Sequence, residues 1–357
     1  MKIYLTDTGW TDDTTGAIGT WTDGNDVVTG INDRGTGVQV DGWVNANTLT
    51  GDDSITGWGY DNTEVPSPRY PGIAYRLGTG ISNKGTINTG DGNNSITGAA
   101  NGTGISNKGT INTGDGNNSI TGAGEAILGI SNTNSGTINT GGGDDSITGI
   151  VTGLYGVGGI SNSGTINTGG GNDGIIGIGG MFDGIFNIGT INTGDGDDFI
   201  TGINYDIYNN GIIYTGNGND SITGAEISNY AGNGNDSITG TEISNSGTRG
   251  TVDTGDGNDI VTATKGFYGN GIVFLGSGDD TLSGFGSGFL FDGGPDPDYD
   301  TLILPSGSYS VGSTTIGENT FVTFMLGDII MPTTGFEVLN IGGNTYDFAS
   351  LPSMVFG

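Results

Sequence analysis

The fold this sequence predicts is an all-β parallel β-solenoid with about three short strands per coil, and three features of the chain predict it. The stretch TGDGNNSITG at Thr89–Gly98 returns with small changes at Thr113, Thr140, Thr168, Thr193, Thr215, Ala231, Thr254 and Leu275, and more distantly near Asp23 and Gly51. Recurrence at intervals of about two dozen residues marks a stack in which no unit buries its apolar side alone. Every copy also keeps an apolar residue in the same phase: Val28, Ile55, Ile96, Ile120, Ile147, Ile175, Ile200, Ile222, Ile238, Val261 and Leu282. Between copies runs a second segment, GISNKGTIN at Gly80–Asn88, which recurs in varied form from Gly104, Gly129, Gly159 and Gly184.

Residues 1–78 hold Trp10, Trp21, Trp43 and Trp58 and two degenerate turns. They read as an N-terminal cap merging into irregular first coils, because an open strand edge invites pairing with other chains. An aromatic carbohydrate-binding platform is the alternative use of the tryptophans, and Pro66, Pro68 and Pro71 mark an excursion from the coil. Residues 79–300 are the regular coils. One inward row is Ile81, Ile105, Ile130, Ile160 and Ile185; a second is Ile87, Ile111, Ile138, Ile166, Ile191, Ile213, Val252 and Val273; the third carries the apolar position of the glycine turn. Each strand is a short β-branched run bounded by glycine or asparagine. Coil length changes at Ala99, Ala123 and Ile150, where corner loops absorb it, and a step is expected at Ala231, where the GTIN strand is missing. After FDGGPDPDYD at Phe291–Asp300 the composition shifts. Residues 301–357 read as a small β-rich C-terminal cap with a strand in NTFVTFML, at the place of a possible export signal.

The chain has no cysteine and no histidine, and its 39 acidic residues face 8 basic ones for a net charge of −31. Disulfides, histidine-based catalytic triads and zinc sites built on cysteine or histidine are excluded, which leaves hard oxygen ligands suited to calcium or magnesium. Nucleic acid is an unfavourable partner for such charge, and no apolar run reaches the length of a membrane span. The opening MKIYLTDTGWTDD has no apolar core of a cleavable signal peptide.

The turns have a logic of their own. Glycines such as Gly90 and Gly92 allow positive φ and expose carbonyls, as do Gly194, Gly196, Gly216 and Gly218. Two places after the second glycine stands a side-chain oxygen: Asp26, Asp53, Asn94, Asn118, Asp145, Asp173, Asp198, Asp220, Asp236, Asp259 and Asp280.

This pattern resembles the hemolysin-type (RTX) calcium-binding repeat, GGxGxDxUx with U apolar; TGNGNDSIT at Thr215–Thr223 departs from it only at its first position. The resemblance implies calcium held between successive turns by glycine-loop carbonyls and the aspartates, at several sites along one row. Asn94 and Asn118 break the pattern, so metal there would need Asp91 and Asp115 to compensate. Since the second segment separates successive motifs, one metal row is expected, not the two of back-to-back repeats. The resemblance also implies type I export and an extracellular or cell-surface location. The expected affinity is on the order of 10⁻⁴–10⁻³ M, as for extracellular modules.

Strand alternation turns Thr86 and Asn88 outward when Ile87 faces in, and the pair returns at Thr110/Asn112, Thr137/Asn139, Thr165/Asn167 and Thr190/Asn192. Stacked at about 4.8 Å per coil, they form a ladder of hydroxyls and amides, similar to the ice-binding faces of some calcium-dependent solenoid adhesins. The doublets Asp144/Asp145, Asp197/Asp198 and Asp279/Asp280 invite comparison with glycosidase pairs, but they sit in the repeat turns and read better as metal ligands. No catalytic residue and no enzyme is expected. The leading expectation is a secreted calcium-binding structural protein that self-assembles into a homo-oligomeric filament or surface layer, since some surface-layer proteins are similar in their acidic, cysteine-free composition. The alternative is an adhesin that binds ice or polysaccharide.

Overall fold

The computed structural model describes residues 2–353 apart from 7, 14–17, 33–34, 42–43, 62–63, 67–73, 77, 154–155, 205–206, 225–233, 295–297 and 317–318. They form two compact units, Met1–Ile212 and Ile213–Gly357.

In the first unit each coil turns through three parallel faces. The first stacks strands such as Thr79–Asn83, Thr103–Asn107 and Leu128–Asn132; the second Thr86–Asn88, Thr110–Asn112 and Thr137–Asn139; the third Ser95–Ala100, Ser119–Gly124 and Ser146–Val151. The register does not slip: Ile81 lies opposite Ile105, Ile87 opposite Ile111 and Ile96 opposite Ile120. The three isoleucine rows are fully buried, so the core is three columns of β-branched side chains, each worth about 1.5–3 kcal/mol in removed apolar surface. Glycine is required where the third face meets the first: a Cβ on Gly122 would stand 2.2 Å from the Gly129 carbonyl oxygen. At the corner between the first and second faces, Asn83, Asn107, Asn132, Asn162 and Asn187 each donate from Nδ2 to the Oδ1 of the next asparagine, at 2.7–2.9 Å. This buried ladder is the physical reason for the asparagine in every GISN, since it satisfies polar groups that burial would otherwise strand.

The edge strand Thr36–Val40 is covered by Ile3–Thr6, which pairs with it in parallel and is followed by the antiparallel strands Gly9–Asp12 and Ile18–Thr20. The Trp21 indole donates to the Thr6 carbonyl, and Trp58 is partly exposed on the third face; Trp43 lies outside the described residues. The proline excursion includes an antiparallel pair, Glu64–Pro66 with Ala74–Arg76, while Pro68 and Pro71 lie outside the described residues.

In the second unit the third-face column runs Ile222, Ile238, Val261, Leu282, Leu302 and Leu339. Three short strands per coil do not hold here: Ser237–Asp253 and Ile260–Phe274 continue through the corners as long strands with register shifts between Gly240 and Glu242 and between Asn245 and Gly250. These coils are somewhat shorter, 23 residues from Asp236 to Asp259 and 21 from Asp259 to Asp280, against 24 to 28 from Asn94 to Asp198. With no inserted loop, pairing persists across the corner as bulges. The step expected at Ala231 lies outside the described residues. An antiparallel meander, Ser310–Ile316, Asn319–Leu326 and Ile329–Thr334, and the hairpin Val338–Ile341 with Asn344–Asp347 close this unit.

Stacking crosses both composition boundaries seen in the sequence: Thr36–Val40 pairs with Thr79–Asn83, and Thr281–Ser283 with Thr301–Leu304. No helix among the described residues is long and apolar enough to cross a membrane.

Candidate metal centres and the threonine–asparagine face

Among the described residues of the first unit, the glycine turns lie at the entrance to the third face. Gly114 and Gly116 have φ of 73° and 121°, and a Cβ on either would fall within 2.4 Å of a carbonyl oxygen of the preceding turn. Both glycines are therefore needed, one coil resting its turn on the turn before.

Each turn aspartate sends one oxygen to the preceding coil. The backbone N–H of Asn118 donates to Asp145 Oδ1, that of Asp145 to Asp173 and that of Asp173 to Asp198, each at 2.7 Å. In the second unit the N–H of Asp220 donates to Asp236, Asp236 to Asp259, Asp259 to Asp280 and Asp280 to Asp300. The other oxygen, Oδ2, of Asp145, Asp173, Asp259, Asp280 and Asp300 is buried and accepts no hydrogen bond. Burial pushes these carboxyls upward, Asp173 and Asp259 to about 6, Asp300 to about 7 and Asp280 to about 8. The Thr168 hydroxyl beside Asp173 only partly offsets its burial; that hydroxyl itself donates to the Thr193 carbonyl.

The two asparagine turns show what this space accommodates. Asn94 Nδ2 donates to the carbonyls of Gly90, Gly92 and Thr113 at 2.8–3.0 Å, and Asn118 Nδ2 to those of Gly114, Gly116 and Thr140 at 2.7–3.0 Å. Three carbonyl oxygens thus converge on one positively polarised nitrogen. In the next turn, where Ser146 stands opposite Ser119, the amide is replaced by the Asp145 carboxylate and the glycines by Gly141 and Gly143, both again at positive φ. An ionised carboxylate brought to such carbonyls without a donor is repulsive, so an all-oxygen, donor-free shell of this kind fits a hard divalent cation.

Not every residue singled out from the sequence has an oxygen to spare. Asp26 accepts from the Thr22 N–H and hydroxyl, and Asp53 from the Asp26 N–H and the Thr48 hydroxyl. Asp91 and Asp115 are exposed and accept from the N–H groups of Asp115 and Gly142, while the carbonyls of Gly90 and Gly92 are already taken by Asn94. Gly194 and Gly196 flank the turn of Asp198, and Gly216 and Gly218 that of Asp220, all four at positive φ. The doublets do not pair: Asp144 is exposed and accepts from the Asn172 N–H, whereas Asp145 is buried.

Two acids were not legible as turn residues. Asp298 occupies the place of the second turn glycine one coil after Gly278, whose N–H donates to it, and Glu337 takes the place of the next aspartate, accepting from the Asp300 N–H. The available signal was the repeat of an acid two places before an inward apolar residue, Asp280/Leu282, Asp300/Leu302 and Glu337/Leu339.

On the second face the outward asparagines form a ladder of their own. Asn88, Asn112, Asn139, Asn167 and Asn192 each donate to the Oδ1 of the asparagine one coil earlier, at 2.7–3.2 Å. The threonines, Thr86, Thr110, Thr137 and Thr165, run parallel to them, opposite one another in register. A shallow trough of about 600 Å³ lies along these two rows.

No family model matches the chain, and no curated protein sequence matches it. Among solved structures it is similar to a hyperactive, Ca²⁺-dependent, β-helical antifreeze protein from an Antarctic bacterium, at 18% identity, with 97% of this chain and 94% of that chain covered and a TM-score of 0.47.

Proposed function

We propose that this chain is a calcium-ordered extracellular binding module, not an enzyme, whose threonine–asparagine face docks on the repeating oxygen lattice of ice. Calcium is held by Asp145, Asp173, Asp198, Asp220, Asp236, Asp259 and Asp280 with carbonyls of their turns, and supplies the positive charge that the amides of Asn94 and Asn118 supply in their own turns. Those two turns carry no metal. Weak sites of this kind fill at extracellular calcium levels, so the coils order after export, and type I export of an unordered chain agrees with that sequence.

The observation that carries the ice reading is the unbroken register of Thr86, Thr110, Thr137 and Thr165 beside a hydrogen-bonded asparagine ladder. Rungs about 4.8 Å apart approach the spacing of oxygens in ordinary ice. Each amide is oriented by its neighbour, so little side-chain freedom is lost on docking. Thermal hysteresis of the calcium-loaded chain tests this. Activity that disappears in Thr137→Tyr, with the fold intact by circular dichroism, is the expected result; no hysteresis and no partitioning into ice would overturn it.

A second reading, self-assembly into a filament or surface layer, is favoured by an apolar patch on the third face. Phe199 and Ile203 are about two-fifths exposed; Ile178 is the register partner of Ile203, and the Phe199 ring lies over Gly174. Sedimentation in calcium discriminates: assemblies that Ile203→Lys disperses support it, and a monomer at all concentrations excludes it.

A further inference from the structure

The end of the second unit holds a different arrangement of acids. Asp298, Asp300 and Glu337 each offer a carboxylate oxygen within 4.8 Å of the others. Asp300 is fully buried, and its Oδ2 has no hydrogen-bond partner; Asp298 Oδ1 is likewise sealed from solvent and unpartnered. The remaining oxygens are committed to the backbone: the Gly278 N–H donates to Asp298 Oδ2, the Asp280 N–H to Asp300 Oδ1 and the Asp300 N–H to Glu337 Oε2. The sequence contains no lysine or arginine after Lys265, so no basic residue of this end of the chain neutralises the group.

We infer that Asp298, Asp300 and Glu337 form a separate divalent-cation site, for calcium, that ties the closing hairpin of the second unit to its last coil. The chemistry differs from that of a repeat turn. A repeat turn offers one carboxylate among carbonyls, whereas here Asp298 stands in place of the second turn glycine and Glu337 adds a carboxylate from the bend just before the strand Val338–Ile341. Calcium affinity rises with the number of charged ligands, and three carboxylates exceed the one of a repeat turn. The ion would cross-link segments 37 residues apart, the separation of Asp300 and Glu337. Asp300 continues the row of turn aspartates, but none of the three is a ligand of the repeat-turn sites proposed above, so this site does not depend on those turns binding metal.

Calorimetric titration of calcium into the chelated full-length chain tests the inference. The unsubstituted protein should show one tight ion, roughly tenfold or more above the repeat-turn class in affinity. Asp298→Asn and Glu337→Gln should each abolish that ion and leave the weaker class in place, whereas Asp173→Asn should remove one weak ion and spare the tight one. Circular dichroism at saturating calcium checks that the variants fold, and Glu337→Gln serves if Asp298→Asn does not. A tight ion that persists in both variants, or no tight class at all, overturns the site. Loss of the weak class alone would count against the repeat turns and not against this site.

Discussion

Asn118 and Asp145 occupy the same place in successive coils, and they solve the same electrostatic problem in opposite ways. At Asn118 an amide nitrogen reaches three carbonyls; at Asp145 a carboxylate oxygen without a partner takes its place. The backbone differs accordingly: the first turn glycine has φ of 73° at both asparagine turns, Gly90 and Gly114, but 94°, 107° and 99° at Gly141, Gly169 and Gly194. One heavy atom thus separates a self-contained turn from one with an unpartnered buried oxygen. On the proposed function, the asparagine turns form a metal-independent segment inside a row that otherwise needs metal.

Removing calcium should break the comparison most strongly. At free calcium of roughly a hundred times Kd, each ion stabilises the folded chain by about 2.7 kcal/mol. Chelation should therefore destabilise the aspartate coils most, and hydrogen exchange should show amides of coils 145–198 losing protection before those of coils 94–118.

Exchanging the two residues sharpens it. Asp173→Asn should remove one calcium ion and stabilise the chelated protein by about 1–3 kcal/mol, the cost of an unsatisfied buried polar group, while Asn118→Asp should add one ion and weaken the chelated protein. Ion counting by equilibrium dialysis, with urea melts in chelator, checks both. Unchanged stoichiometry in both variants would refute the equivalence of the two turns.

Acid should produce the smallest change. Burial raises Asp280 to about 8 and Asp300 to about 7, from 3.8 for an ordinary aspartate. The folded, metal-free chain therefore binds more protons than the unfolded one. The associated stability is fully present below about pH 4 and is lost as pH rises through 7 to 8. Urea midpoints of the chelated protein should fall from pH 5 to pH 8, and the same scan in excess calcium should be flatter or reversed, because the ion prefers the ionised carboxylate.

Much of this was open to reading in the residues alone. The Ile81, Ile87 and Ile96 rows, the phase of the turn acids and the outward Thr86/Asn88 pair follow from alternation and repetition, and the fold has them at those places. Less accessible was the role of Asn94 and Asn118. Metal at those turns depended on compensation by Asp91 and Asp115, but those side chains are exposed and the asparagine amides reach the carbonyls themselves. Asp298 and Glu337 were hidden because the last turn changes length and the glutamate arrives from a bend beyond the repeats.

The sequence by itself determined which residues face inward and along which edge the acids gather, since a strand's period of two and a repeated register are local properties that each coil restates. Only the tertiary structure decided which of those acids keep a buried oxygen that accepts no hydrogen bond, as Asp145 and Asp173 do. A cation site of the proposed kind is a shell of oxygens drawn from neighbouring coils, and whether an oxygen in it is left over depends on what the next coil donates.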